Sequence, residues 1–240
     1  MVAVSSDLVI AAGVFIITWI FRKFIDRKSF ISLGFHWKGR NNDAWIGFFA
    51  APALLGIGSL VLVFTGYLSF TGFGATVPAL VMQLLLFVFV SFIEELIVRG
   101  YILNNLLLSV NKWIALLISS AFFAAMHVFN PGISVTAVIN VFAAGLLLGI
   151  NYIYTRNLWF SIFFHFIWNF YQGAVLGYEV SGLQQSGLLQ QALSGPAILT
   201  GEPFGFEGSI LCTILIILAT LYFAYFFSKR YTTAGSTTCP

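Results

Sequence analysis

Apolar residues in this chain run for about 20 positions at a time with almost no charge between the ends, the length a helix needs to cross a bilayer. Seven such stretches stand out, at residues 8–21, 44–64, 77–98, 113–129, 135–153, 158–176 and 210–227. Backbone exposed to lipid can satisfy its polar groups only in helices or closed barrels, and no ten-residue segments of alternating polarity favour a barrel. The expected fold is all-α, a polytopic transmembrane bundle of about seven spans forming a single integral membrane domain over residues 1–240. Composition excludes the soluble alternative: 60% of the 240 residues are hydrophobic and only 8% charged, where soluble domains carry roughly a quarter.

Charge sets the expected orientation. Arg22, Lys23, Arg27 and Lys28 follow the first apolar run instead of preceding it, so that run reads as a retained span and not as a signal peptide. With the N-terminus outside, the connections after spans one, three and five and the C-terminal tail become cytoplasmic. All 11 Lys and Arg then fall on that side, from Arg22 through Lys38, Arg40, Arg99, Lys112 and Arg156 to Lys229 and Arg230. Positive charge decides orientation while acids contribute little. The expectation is therefore N-terminus outside and C-terminus inside, with a long outer loop over residues 177–209 carrying Glu179, Glu202 and Glu207.

The net charge of +3 is too small and scattered for a nucleic-acid footprint. Membrane lipids are the expected surroundings and nucleic acid is not a partner. Two cysteines, Cys212 and Cys239, provide neither a disulfide framework nor a thiolate metal site.

Ionisable residues inside apolar spans are costly and usually face a cavity or a partner. Glu94 and Glu95 sit in the third stretch, in Phe92-Ile93-Glu94-Glu95-Leu96-Ile97-Val98-Arg99. The apolar pattern resumes after Arg99, so the helix is expected to continue to about Ser109 and to hold the pair near mid-membrane. Glu95 and Arg99, four apart, can form an ion pair, while Glu94 points about 100° away. His127 and His165 add two more polar groups, with Asn169 one turn beyond His165. Glu94, His127 and His165 would make a His₂Glu zinc set with one position left for water. Without metal, the same groups allow a glutamate base acting on water, with His165 and Asn169 donating to an oxyanion. His36, in the basic first loop, is expected to do nothing catalytic. Counted along their helices, His127 lies about 22 Å from Lys112 but His165 only about 14 Å from Arg156, so the depths overlap loosely.

These residues also spell a pattern. Glu94 to Arg99 reads EExxxR, Phe123 to His127 reads FxxxH, and His165 to Asn169 reads HxxxN, in that order. Over roughly residues 77–170, the protease motif core, the chain resembles the CPBP family of intramembrane proteases. That family includes the type II CAAX prenyl endopeptidases and bacterial relatives linked to bacteriocin immunity. Residues 177–182 and 200–208 are also similar to bacterial members. The resemblance implies an intramembrane endopeptidase, with Glu94 as catalytic acid, Glu95 and Arg99 as its supporting pair, His127 as partner in activating water, and His165 with Asn169 as ligand or oxyanion site. Both a zinc mechanism and a metal-free glutamate mechanism fit the family. The implied substrate is a membrane-associated or lipid-modified peptide or protein, and the implied location a bacterial inner membrane. Two other classes compete: a proton- or ion-coupled transporter, which uses the same residue types, and a catalytically silent scaffold. The halves show no similarity of the inverted-repeat kind that would favour a transporter.

Overall fold

Polar caps decide where the helices of this chain begin. A computed structural model describes residues 12–201 and 203–232; the start of the first expected span, Glu202 and Cys239 lie outside them. Helix α1 occupies residues 12–25, its last turn a π-turn over Phe21–Ile25. Helix α2 follows at Asn41–Phe64. Helix α3 runs unbroken over Val77–Leu106, started by the Thr76 hydroxyl, which accepts from the Ala79 N–H at 3.4 Å. Helix α4 is Lys112–Ala125, and the Asn111 side chain accepts from the Trp113 and Ile114 N–H groups at 3.0 Å each. Ser134 caps α5, Val135–Thr155, in the same way. Helix α6, Trp159–Asn169, continues as π-turns to Val175, and Ser209 caps α7, Ile210–Thr232. Each such side chain satisfies donors that have no partner at a helix start.

Among the described residues, four helices are long and apolar enough to cross a membrane: Asn41–Phe64, Val77–Leu106, Val135–Thr155 and Ile210–Tyr231. Helix α4, at 14 residues, is about 21 Å long and short of a roughly 30 Å hydrocarbon core. The expected fourth stretch ran to residue 129, but the helix stops at Ala125 because Asn130-Pro131-Gly132 follows. Proline disfavours helix in the residue before it, and Gly132 takes φ +69°.

An all-helical chain also needs correcting. Strand β1, Leu68–Phe73, pairs antiparallel with β2, Leu189–Leu193, with Leu68 opposite Leu193, Phe73 opposite Leu189, and an irregularity between Phe70 and Gly72. The outer segment 177–209 is thus partly built, with a helical turn at Ala197–Thr200 and a 3₁₀ turn at Phe206–Gly208 besides the strand.

The helices cross where side chains are small, as membrane packing requires. A Cβ at Gly47 would collide with the Phe160 carbonyl oxygen, which brings α2 onto α6, and one at Gly145 would lie 2.8 Å from Ser120 Cβ, which brings α5 onto α4. Helix α5 packs between α4 and α7. The connections sort into two ends. At one, Asn157 donates to the His36 carbonyl, the Leu158 N–H to that of Gly34, Arg156 to that of Asn104, and Tyr231 to Asp43. At the other, β1 meets β2, and Asn130 donates to the Ser181 carbonyl.

Candidate active site

Helix α3 carries the two acids close to its middle, where the backbone passes from α-helix at Glu95 to π-helix over Leu96–Leu103. Wide turns of this type often occur at functional sites. Glu95 and Arg99 are fully buried, and Arg99 Nη1 donates to Glu95 Oε1 at 2.7 Å. A buried ion pair persists only when further hydrogen bonds satisfy it. Arg99 Nη2 supplies one by donating to the Gly145 carbonyl at 3.0 Å, which the close α4–α5 crossing places there. Its guanidinium also lies 4.4 Å from the Phe123 ring centroid, a cation–π contact. His165 reaches the same carboxylate oxygen, Nδ1 to Glu95 Oε1 at 2.9 Å.

Glu94 faces elsewhere. Its Oε2 lies 3.8 Å from His127 Nε2; the side chains are 21% and 12% exposed, but this oxygen itself is buried. That distance is too long for a direct hydrogen bond and suits one intervening water. The tautomer of His127 follows from its other nitrogen: Nδ1 is 2.8 Å from the Phe123 carbonyl. A carbonyl only accepts, so Nδ1 carries hydrogen, and in a neutral imidazole Nε2 is then the acceptor, on the side that faces Glu94. Because α4 ends at Ala125, the Phe123 carbonyl is one of the terminal carbonyls that lack a helical partner, and a histidine four residues on fills the gap. This explains the FxxxH spacing.

It also closes the mismatch in depth. By turning back one helical turn, about 5 Å, the His127 ring lies tilted against Phe123 at 4.8 Å between centroids, while His165 meets the same ring edge-on at 5.9 Å. Phe123 therefore touches Arg99, His127 and His165 together.

A cavity opens beside these groups, lined by His127, His165 and Asn169 among apolar walls that include Val141, Leu147 and Ile216. Glu94 adjoins it across His127. Several lining groups carried no signal strong enough to be read from the sequence. Glu207, from the outer segment, accepts from Trp168 Nε1 at 2.9 Å and from the Ser181 N–H and hydroxyl at 2.8 and 3.0 Å. Asn140 donates to the carbonyls of Glu207 and Ser209 at 2.7 and 2.8 Å. Ser91, one turn before the acids and fully buried, has a hydroxyl without a partner, as do Oε2 of Glu94 and of Glu95. Unpaired buried polar atoms are usually served by water, and three of them lie within one turn of α3. His36 contributes only a backbone carbonyl, far from this cluster in the connection between α1 and α2.

His165 Nδ1 meets Glu95 and His127 Nδ1 the Phe123 carbonyl, which leaves Nε2 of each ring as the nitrogen that could reach a ligand. Among the described residues, no three His, Cys, Asp or Glu side chains gather closely enough to hold a metal ion.

Residues 76–171 match the family described as Rce1-like, type II CAAX prenyl endopeptidase, which bears out the resemblance carried by the three motifs. No curated protein and no solved structure matches the chain.

Proposed function

We propose that this chain, whose residues 76–171 match the Rce1-like type II CAAX prenyl endopeptidase family, is an integral membrane endopeptidase that cleaves a peptide bond within or beside the bilayer. The observation that carries the reading is the facing pair of acceptors, Glu94 Oε2 and His127 Nε2, 3.8 Å apart. One water can donate a hydrogen to each, since two bonds of about 2.8 Å span such a gap, and its lone pair is then left for a carbonyl carbon. As the water oxygen attacks, Glu94 takes its proton. When the C–N bond breaks, the departing amine takes that proton from Glu94. His127 orients the water through a tautomer fixed by the Phe123 carbonyl.

His165 and Asn169 are assigned to the oxyanion. Arg99 and His165 share the Glu95 carboxylate oxygen. His165 gives its Nδ1–H to Glu95 and, when doubly protonated, offers Nε2–H to the cavity that it lines. Preorganised donors of this kind are commonly the largest single contribution to catalysis. Glu95 and Arg99 are positioning residues, since they act through His165 and Phe123. The assignment uses side chains alone, because among the described residues no three His, Cys, Asp or Glu side chains gather closely enough to hold a metal ion.

The apolar walls of the cavity suit a membrane-associated or lipid-modified peptide or protein as substrate. Seven spans with the N-terminus outside, in a bacterial inner membrane, complete the proposal. The test is cleavage of a membrane-associated peptide library by purified protein in detergent, with Glu94→Ala as the control, combined with elemental analysis. Expected are turnover by the wild-type chain alone and retention of that turnover after chelation. Loss on chelation with recovery on added zinc would overturn the metal-free assignment, and equal turnover by Glu94→Ala would overturn the role of Glu94.

A further inference from the structure

A second concave site lies at the end of α1, away from the acids of α3. Its lining is Trp19, Arg22, Lys23, Lys28, Ser29 and Phe30, around about 460 Å³ of empty space. The chain shapes it locally. After the π-turn the backbone folds back, with the Asp26 N–H bonded to the Phe21 carbonyl and the Lys28 N–H to that of Arg22, each at 3.0 Å. Arg22 is 2% exposed and forms the fixed wall: it donates to Asp26 at 3.0 Å through Nη1, and to Ser32 Oγ at 3.1 Å through Nε and 2.7 Å through Nη2.

The charge of the pocket is not balanced. Residues 22–28 hold four cations, Arg22, Lys23, Arg27 and Lys28, against one acid, Asp26, and Arg22 already occupies that acid. Lys23 rests over Trp19 at 4.7 Å and over Phe24 at 5.5 Å from the ring centroids, and its ammonium meets no acid among the described residues. Lys28 is exposed and meets no acid among them. The helix leading to the pocket is apolar and uncovered: Ile16, Ile20 and Phe24, four apart, are all exposed. An exposed apolar stripe ending in a cationic pocket, with an aromatic residue at the boundary, matches the two ends of a phospholipid.

We propose that this pocket binds the phosphate headgroup of an anionic phospholipid, with Lys23, Lys28 and Ser29 as its ligands and the acyl chains lying along Ile16, Ile20 and Phe24. Arg22 shapes the pocket and adds positive potential. The shared chemistry is a phosphate group, and lipid is favoured over free phosphate because the pocket opens beside the apolar stripe. The bound lipid would tie α1 to the 3₁₀ turn at Phe30–Leu33 and to the rest of the connection toward α2.

The experiment is native mass spectrometry of the purified full-length chain in detergent, with phosphatidylglycerol, phosphatidylcholine and inorganic phosphate as probes. The variants are Lys23→Gln/Lys28→Gln and, as a control with the same loss of charge elsewhere, Lys38→Gln/Lys112→Gln. Expected are retention of phosphatidylglycerol over phosphatidylcholine, roughly tenfold or more weaker binding in the first pair, as juxtamembrane lysines normally contribute, and unchanged binding in the second. Equal weakening in both pairs would show diffuse attraction to a basic surface and overturn the site. So would no weakening in either, or displacement of the lipid by inorganic phosphate at equal concentration.

Discussion

At the scale of single residues, two neighbouring glutamates differ because their surroundings differ. Glu95 is sealed in with Arg99 and His165, whereas Glu94 meets His127 across a gap wide enough for water. Glu94→Gln keeps shape and removes a base. It is expected to lower kcat by about 10²–10⁴ with little loss of folded protein in size-exclusion chromatography. Glu95→Gln strands a buried guanidinium, which costs about 3–5 kcal/mol, and is expected to reduce folded yield as well as turnover. Indistinguishable behaviour in both assays would refute this division of labour. The i,i+4 spacing of Glu95 and Arg99 was enough to expect their ion pair, and FxxxH and HxxxN marked His127, His165 and Asn169, which line one cavity. The shared oxygen on Glu95, the His127 tautomer and the orphaned Ser91 hydroxyl were not legible, because each depends on which helix faces which.

At the scale of elements, apolar runs show where helices lie but not where they stop or what joins them. The end of α4 at Ala125 could have been read from Asn130-Pro131-Gly132, and hydropathy overran it because Phe122, Met126, Val128 and Phe129 remain apolar. The pairing of β1 with β2 was hidden for another reason: the partners are more than 110 positions apart, and Leu189–Leu193 is too short and glutamine-rich to look like a strand. Glu207 and Ser181 were likewise read as loop residues, although they close the cavity over Trp168. Helix contacts impose a sharper constraint. The Arg99–Gly145 hydrogen bond requires α5 to pass α4 closely at Gly145, where a Cβ would press on Ser120. Gly145→Val is therefore expected to cost about 1–3 kcal/mol through overpacking and to lower kcat more than KM rises, since the backbone acceptor of Arg99 shifts. Thermal unfolding in detergent and steady-state kinetics on the same preparation would check both effects. A large shift in KM alone would place Gly145 at the substrate instead.

At the scale of the whole molecule, charge and connectivity argue in the same direction from independent premises. Every Lys and Arg can be collected on one side only if the connections alternate in the order that seven spans impose. Independently of charge, the folded chain gathers residues 34–36, 104 and 156–158 at one end through direct hydrogen bonds. The strands and the 130–131 and 181–182 turns gather at the other. These are the two sets of connections that the charge count assigns to inside and outside. Helix α4 is entered at Asn111 near one end and left at Asn130 near the other, as an alternating order would need. Reporter fusions after Lys38 are accordingly expected to report the cytoplasm, and fusions within residues 182–194 the exterior. The second site tests more than orientation, because it lies in the segment that supplies β2 and Glu207's partner Ser181. A cytoplasmic reading there would put the cover of the cavity on the basic side and would rule out the arrangement in which all eleven cations share one face.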